Sequence, residues 1–294
     1  MLMNCHASVF QSKKGFSGVS DRWSPGSGYH NVNPSPWPFM ASLGIYELIM
    51  SLIGFCHGKG SFSFFSMMVG GYMLGYSFTS WMSNIIIEAT YLGCHTSIVA
   101  RNIKVGFYFF ILSEVFFFVG VFWAWFHCSI GNLSSGLMWP PCPLIPTYPW
   151  GVPLFNTALL SFSGCSVSWS LEAMKAGSRR ESMGSLLVGI VSGFIFLFMQ
   201  MHEYKISSFT MADGVFGSVF YMLTGLHGLH VGGGLVFLSV QLVRIYLYHY
   251  VGCHRVLGLK LAVLYWHFVD IIWVVVFVFV YVWPYYNWVG VELF

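Results

Sequence analysis

The residues best able to do chemistry in this chain are acids and histidines embedded in apolar sequence. Glu47, Glu114, Glu203, Asp270, His127, His227, His230 and His267 stand in stretches otherwise rich in aliphatic and aromatic side chains, with Glu172 nearer the end of one. If those stretches cross a bilayer, a charge at mid-span costs at least about 2.5 kcal/mol, so each ionisable group there marks a proton, ligand or packing site. Glu114 lies in "ILSEVFFFVGVFWAWFH" (111–127), flanked at helical spacing by Phe110, Ile111, Phe117 and Phe118. Its own helix supplies no counter-charge, and desolvation then favours the neutral acid. Two readings stay open: a proton-accessible carboxyl facing lipid or a partner, and a protonated side chain hydrogen-bonded to an adjacent helix.

His227 and His230, in "TGLHGLHVGGG", are spaced i and i+3 on one helix face, a spacing that could serve a metal or haem. Two histidines alone make a weak motif, since a haem needs opposed axial ligands and a copper site a third ligand. The neighbouring Gly225, Gly228 and Gly232 to Gly234 point instead to close helix packing, with histidine bonding across the contact. His267 and Asp270, in "YWHFVDIIW", are one turn apart and are expected to satisfy each other. No catalytic set and no metal site is expected. Glu88 and His95, near the inner end of the second apolar stretch, and Arg244, at the inner end of the sixth, suit a phospholipid head group, although a solvated loop face would also hold them.

The elements that must position these residues follow from composition. Only 8% of the 294 residues are charged, while 56% are hydrophobic and 19% aromatic; soluble domains carry about 25% charge. This is the composition of an all-α, polytopic membrane protein. Windows of the length needed to cross a bilayer, about 20 apolar residues, fall near 37–56, 61–82, 105–129, 153–174, 183–203, 214–246 and 257–283, predicting seven transmembrane helices. Orientation follows from Lys and Arg, which collect on the inner side. With the N-terminus inside, Lys13, Lys14, Arg22, Arg101, Lys104, Lys175, Arg179, Arg180, Arg244, Arg255 and Lys260 are inner, and only Lys59 and Lys205 of the 13 basic residues are outer. The C-terminus is then outside.

The expected organisation is an inner arm over 1–36, transmembrane helices one and two over 37–82, an inner connection over 83–104, helices three to seven over 105–283, and an outer tail over 284–294. The net charge of +3 says little by itself, and because the basic residues sit in separate inner loops rather than in one stripe, no nucleic-acid partner is expected. The first 36 residues lack the features of a cleaved presequence. The seven cysteines contain no C-x-x-C pair and read as free, mostly buried side chains. The Pro-rich "WPPCPLIPTYPW" (139–150) is expected to be extended.

Seven motifs in order, "NVNPSPWP" (31–38), "EATYLGCHT" (88–96), "SEVFFFVGVFWAWFH" (113–127), "WPP" (139–141), "VPLFNTALL" (152–160), "DGVFGSVFYMLTGLHGLHV" (213–231) and "YWHFVDIIW" (265–273), resemble the cytochrome c oxidase subunit III family. The resemblance runs from about residue 28 to 283. It implies a two-helix V set apart from a five-helix bundle, with phospholipid in the cleft. It also implies a core subunit of the terminal oxidase (complex IV) that carries no cofactor, the haem and copper belonging to partner subunits I and II, with accessory subunits beside them. Glu114 takes the place of the family's buried helix-three carboxyl, and Glu88, His95 and Arg244 match positions that hold lipid. The implied role is to stabilise the catalytic subunits and support proton uptake, in the mitochondrial inner membrane with the N-terminus in the matrix and the C-terminus in the intermembrane space, or in a bacterial plasma membrane. The chain departs from the family at "WMSNIIIE", which lacks the usual charges, at Leu171 and Glu172, which replace paired histidines, and at Glu47, where the family is apolar. The alternative from another class is a self-contained transporter or haem-binding electron carrier, which the visible spectrum of the isolated chain would expose.

Overall fold

Long apolar runs become helices because hydrocarbon offers backbone groups no partner outside their own segment. The computed structural model describes residues 29–30, 32, 34–58, 60–134, 138–250 and 256–292, and their regular structure is entirely helical. The elements are α1 (Trp37–Cys56), α2 (Gly60–Thr90), α3 (Ser97–Ser134), α4 (Val152–Lys175), α5 (Arg179–Ile206), α6 (Val215–Tyr246) and α7 (Leu257–Val276). A π-helical turn (Phe277–Val282) carries α7 on into α8 (Trp283–Glu292). Lys13, Lys14, Arg22, Lys59, Arg255, Cys5 and Cys253 lie outside the described residues, as does most of the arm over 1–36.

Several boundaries differ from those expected. The stretch over 83–104 is largely the end of α2 and the start of α3, broken only at 91–96. Residues 284–292, expected to be part of the outer tail, are helical and continue α7. Five helical segments are long and apolar enough to cross a membrane: Trp37–Cys56, Ser97–Gly131, Arg179–Ile206, Val215–Tyr246 and Leu257–Gly290. The other two, α2 and α4, are long enough at 31 and 24 residues but are diluted by glycine and serine. In α4 those residues are spent inward, where Asn156, Ser163, Gly164 and Ser170 are buried.

The chain forms two compact units, Met1–Val99 and Ala100–Phe294. In the first, α1 and α2 pack antiparallel through small side chains: Ala41, Gly44 and Ser51 against Ser63, Gly70 and Ser77, all buried. A Cβ on Gly44 would come within 2.7 Å of the Leu74 amide nitrogen, and one on Gly70 within 2.8 Å of that of Leu48. Such backbone proximity, rather than apolar burial, joins helices in lipid. Large apolar side chains such as Ile49, Phe62, Phe65 and Tyr72 are left on the outside.

The second unit is organised around Trp266 of α7, which is fully buried. Its indole lies in a slot between α5 and α6: a Cβ on Gly193 would approach it to 2.8 Å, and so would one on Gly234. Its Nε1–H donates to Ser163 Oγ of α4 at 2.9 Å. One turn pair further on, Trp273 Nε1–H donates to Thr157 Oγ1 at 3.0 Å, so two indoles of α7 are fastened to hydroxyls of α4. Of the glycines expected to mediate packing, Gly225, Gly228 and Gly232 would gain a Cβ into open space, and Gly234 is the one pressed against a neighbour.

That contrast predicts opposite signs within one motif. Gly234→Ala should destabilise the detergent-solubilised protein by about 1–3 kcal/mol through overpacking on Trp266, whereas Gly232→Ala should be neutral or stabilising by up to about 1 kcal/mol through helix propensity. Thermal unfolding midpoints of the two variants check it, and a fall of equal size in both would contradict the assigned slot.

Candidate intramembrane carboxyl site

Glu114 sits near the middle of α3 and His230 near the middle of α6, so the bundle brings together two ionisable groups from the deepest part of their helices. His230 Nε2 and Glu114 Oε2 are 2.8 Å apart, with 15% and 23% of the two side chains exposed. The hydrogen-bond partner of Glu114 thus comes from α6. Phe118 packs against the imidazole at 4.9 Å and Phe117 stacks on it at 6.4 Å. These are the rings that the spacing around Glu114 singles out.

The hydrogen bonds fix the number of protons. His230 Nδ1 lies 2.8 Å from the Leu226 carbonyl, which can only accept, so Nδ1 carries hydrogen. If the imidazole is neutral, Nε2 is an acceptor and its bond to Glu114 needs the acid's O–H. If it is imidazolium, Nε2–H donates to a carboxylate. In both cases one proton lies between the two side chains, and the states differ by its transfer across a 2.8 Å gap.

His227 does not share this site. Its ring is buried against α7, with Nε2 3.1 Å from the Val269 carbonyl and the Trp273 ring 5.0 Å away. The two histidines, expected on one face, therefore point to different helices. His267 and Asp270 are not hydrogen-bonded to each other: His267 Nε2 is 2.7 Å from Ser168 Oγ of α4. Both side chains nonetheless reach the same spot on α4, since a Cβ on Gly164 would lie 3.3 Å from Asp270 Oδ2 and 3.5 Å from His267 Nδ1. Ser168 was unpredicted because a lone serine in an apolar run gives no signal of the partner it will meet.

The residues expected to hold lipid fall in different units. In the first, Glu88 of α2 pairs with His30 at 3.7 Å, and His95 lies in the turn between α2 and α3. Cys94 beside them is buried, which pushes its thiol pKa up, and the Glu88 carboxylate adds to the shift. In the second unit, the Arg244 guanidinium lies over the Tyr250 ring at 4.7 Å, and Nη1 reaches Gln241 Oε1 at 3.5 Å. Tyr250 donates to the same Gln241 oxygen. Burial pushes the Tyr250 hydroxyl up to about 12, with Arg244 pulling the other way. Arg244 has no acidic partner among the described residues, and its Nε–H is buried without an acceptor. Arg179, one helix away, is fully engaged: Nε and Nη2 donate to the Ile245 and Tyr246 carbonyls at the end of α6, the side-chain form of helix C-capping.

Of the remaining ionisable residues, Glu47 Oε1 accepts from Ser66 Oγ within the first unit. His127 is exposed, and Glu172 is exposed and paired with Lys175.

Long apolar helices and a mid-helix acid–histidine pair define a membrane protein. Among its described residues no three His, Cys, Asp or Glu side chains gather where they could hold a metal ion. Residues 27–285 match the family described as cytochrome c oxidase subunit III. A protein named cytochrome c oxidase subunit 3 from Emericella nidulans is 38% identical over 278 residues, covering 94% of this chain and 100% of that protein. Those of Osphranter robustus and Branchiostoma lanceolatum are 40% and 41% identical over 256 residues, covering 87% of this chain and 97% and 96% of theirs. The chain belongs to the cytochrome c oxidase subunit III family. It is thus a subunit of an oxidoreductase complex and associates with other oxidase subunits.

The shared proton predicts an asymmetry between substitutions. Glu114→Ala leaves His230 Nε2 without its partner and should cost about 1–3 kcal/mol. Glu114→Gln keeps an amide that can donate to Nε2 and should cost under about 1 kcal/mol. Thermal inactivation of the purified complex separates the two, and equal losses would show that the bond to His230 adds nothing.

Proposed function

We propose that this chain is a cofactor-free core subunit of the terminal oxidase of the mitochondrial inner membrane, stabilising the catalytic subunits, holding phospholipid and supporting proton uptake during the reduction of oxygen to water. The observation that carries the proton role is the Glu114–His230 pair at the centre of α3 and α6, which shares one proton between an acid and a base. A pair of this kind, half-shielded by Phe117 and Phe118, can pass its proton between Oε2 and Nε2 with the two opposite charges formed side by side, so that neither stands alone in hydrocarbon. Haem and copper are assigned to subunits I and II, in keeping with the resemblance. The eukaryotic relatives support the mitochondrial setting, and the skewed distribution of Lys and Arg supports a matrix N-terminus and an intermembrane-space C-terminus.

The lipid role rests on Arg244, Glu88 and His95. An arginine at the last turn of α6 with a free Nε–H and no acidic partner is suited to a phosphate, which guanidinium binds bidentately. Glu88 and His95 supply an acceptor and a donor suited to an amine-bearing head group. The family resemblance at these positions supports the assignment.

For the carboxyl, labelling the intact complex with a hydrophobic carbodiimide at neutral pH, followed by peptide mapping, should modify Glu114, because the reagent attacks carboxyls that carry a proton. Glu114→Gln should then change turnover, pumping or durability while leaving haem spectra intact. Modification of other membrane acids but not Glu114 would remove the premise. For the lipid, Arg244→Ala should lower the phospholipid retained by the purified complex, and unchanged lipid stoichiometry by mass spectrometry would count against the site.

A further inference from the structure

Glu203 takes no part in the reading above, yet it is the most deeply buried acid among the described residues, 2% exposed. It lies one turn before the end of α5, facing the interior of the bundle. Neither carboxyl oxygen completes a protein hydrogen bond of acceptable geometry, and no cation pairs with it among the described residues. Its sequence neighbours His202 and Lys205 are exposed.

A chain of buried polar groups leads to it from two other elements. Asn156 of α4, fully buried, points its amide NH2 toward Gln200 Oε1 of α5 at 3.4 Å. Gln200 Nε2–H donates to the Tyr281 hydroxyl oxygen at 3.2 Å. Tyr281 is 1% exposed and belongs to the π-helical turn, a widening of the helix that is frequent at functional sites. With its oxygen taken as an acceptor by Gln200, the Tyr281 O–H is left to donate, and Glu203 is the acidic group beside it. Tyr204, also near Glu203, is turned away by its own bond to Thr224 Oγ1 at 2.7 Å. Every donor in the chain thus points toward the carboxyl, and such chains polarise in one direction. A neutral phenol beside the acid, with no hydrogen bond completed to either oxygen, is too little to hold a buried anion, whose desolvation costs several kcal/mol.

We propose that Glu203, with Tyr281, Gln200 and Asn156, forms an internal proton-binding site in which the carboxyl holds a proton at neutral pH and exchanges it with water at the nearby end of α5. The site is separate from the Glu114–His230 pair and involves different helices except that Thr224, beside Tyr204, belongs to α6. The groups facing Glu203 are Tyr281 from the π-helical turn and Tyr204 from its own helix, both neutral phenols.

Infrared difference spectroscopy of the purified oxidase complex, exchanged from H2O into D2O, tests the proposal in a Glu114→Gln background, so that the carboxyl paired with His230 does not contribute. A protonated-carboxyl C=O stretch is expected that moves down on deuteration and is lost when Glu203→Gln is added. Tyr281→Phe should keep that band and shift its frequency, because the polar hydroxyl beside the carboxyl is removed; this variant carries the test if Glu203→Gln does not assemble. Loss of carboxylate rather than carbonyl intensity in Glu203→Gln overturns the proposal. So does a band that ignores Tyr281→Phe, or one that never shifts in D2O and so marks a locked structural acid.

Discussion

Hydrocarbon offers no partner to a polar side chain, and this constraint decides how the interior of the chain is arranged. Three acids within the apolar helices lie beside three different kinds of group: a histidine for Glu114, a serine for Glu47, a phenol for Glu203. The kind of partner sets what the acid can do. A serine can donate one hydrogen bond or accept one, and it binds carboxyl and carboxylate alike. An imidazole with one nitrogen tied to a carbonyl responds to the proton itself, because Nε2 must switch between accepting and donating. The Leu226 carbonyl, by holding Nδ1, makes the Glu114–His230 contact proton-counting.

The two units solve helix association differently. In the first, α1 and α2 meet through glycine, alanine and serine, with large apolar side chains outside. Burial of apolar surface gains nothing against lipid that is equally apolar, so close backbone approach carries the contact. In the second, the interior is aromatic: Trp125, Trp139 and Phe216 interlock at 5.3 to 5.5 Å, and Trp266 fills the slot left by Gly193 and Gly234. Rings of that size gain dispersion contacts that lipid chains match less well, and their N–H groups find hydroxyls on α4. The serines that dilute the hydropathy of α4 are therefore part of how α7 is held.

Helix content and the membrane class were legible from composition alone, because no other structure accommodates so few charges among so many apolar residues. Helix ends were not. Windows of about 20 residues measure bilayer thickness, whereas α2 and α3 continue past it at 31 and 38 residues, where polar side chains in water are compatible with helix. The π-helical turn gave no signal, since Phe277–Val282 reads as uniform apolar sequence. At the candidate site, the desolvation of Glu114 and its ring neighbours could be read from spacing, but its partner lies 116 positions away, a separation that periodicity does not address. The spacing of His227 and His230 misled for a geometric reason. Three residues leave about 60° between side chains, enough for a helix wedged between α3 and α7 to give one ring to each.

The positions that the resemblance marks as unusual follow the same rule. Leu171 enters the core at 8% exposed, while its neighbour Glu172 stays on the surface beside Lys175 at 2.5 Å. An exposed ion pair of this kind adds about 0–1 kcal/mol, so neither residue brings an unmet polar group into the bundle. Glu47 is the harder case, an acid within an apolar helix, and it is matched by Ser66 across the α1–α2 contact. Gly70, against which the Glu47 side chain lies, leaves room for it: a Cβ there would come within 3.1 Å of Glu47 Cγ. A polar side chain inside a bilayer thus needs both a hydrogen-bonding partner and space on the facing helix, and α2 supplies the two within two turns of one another.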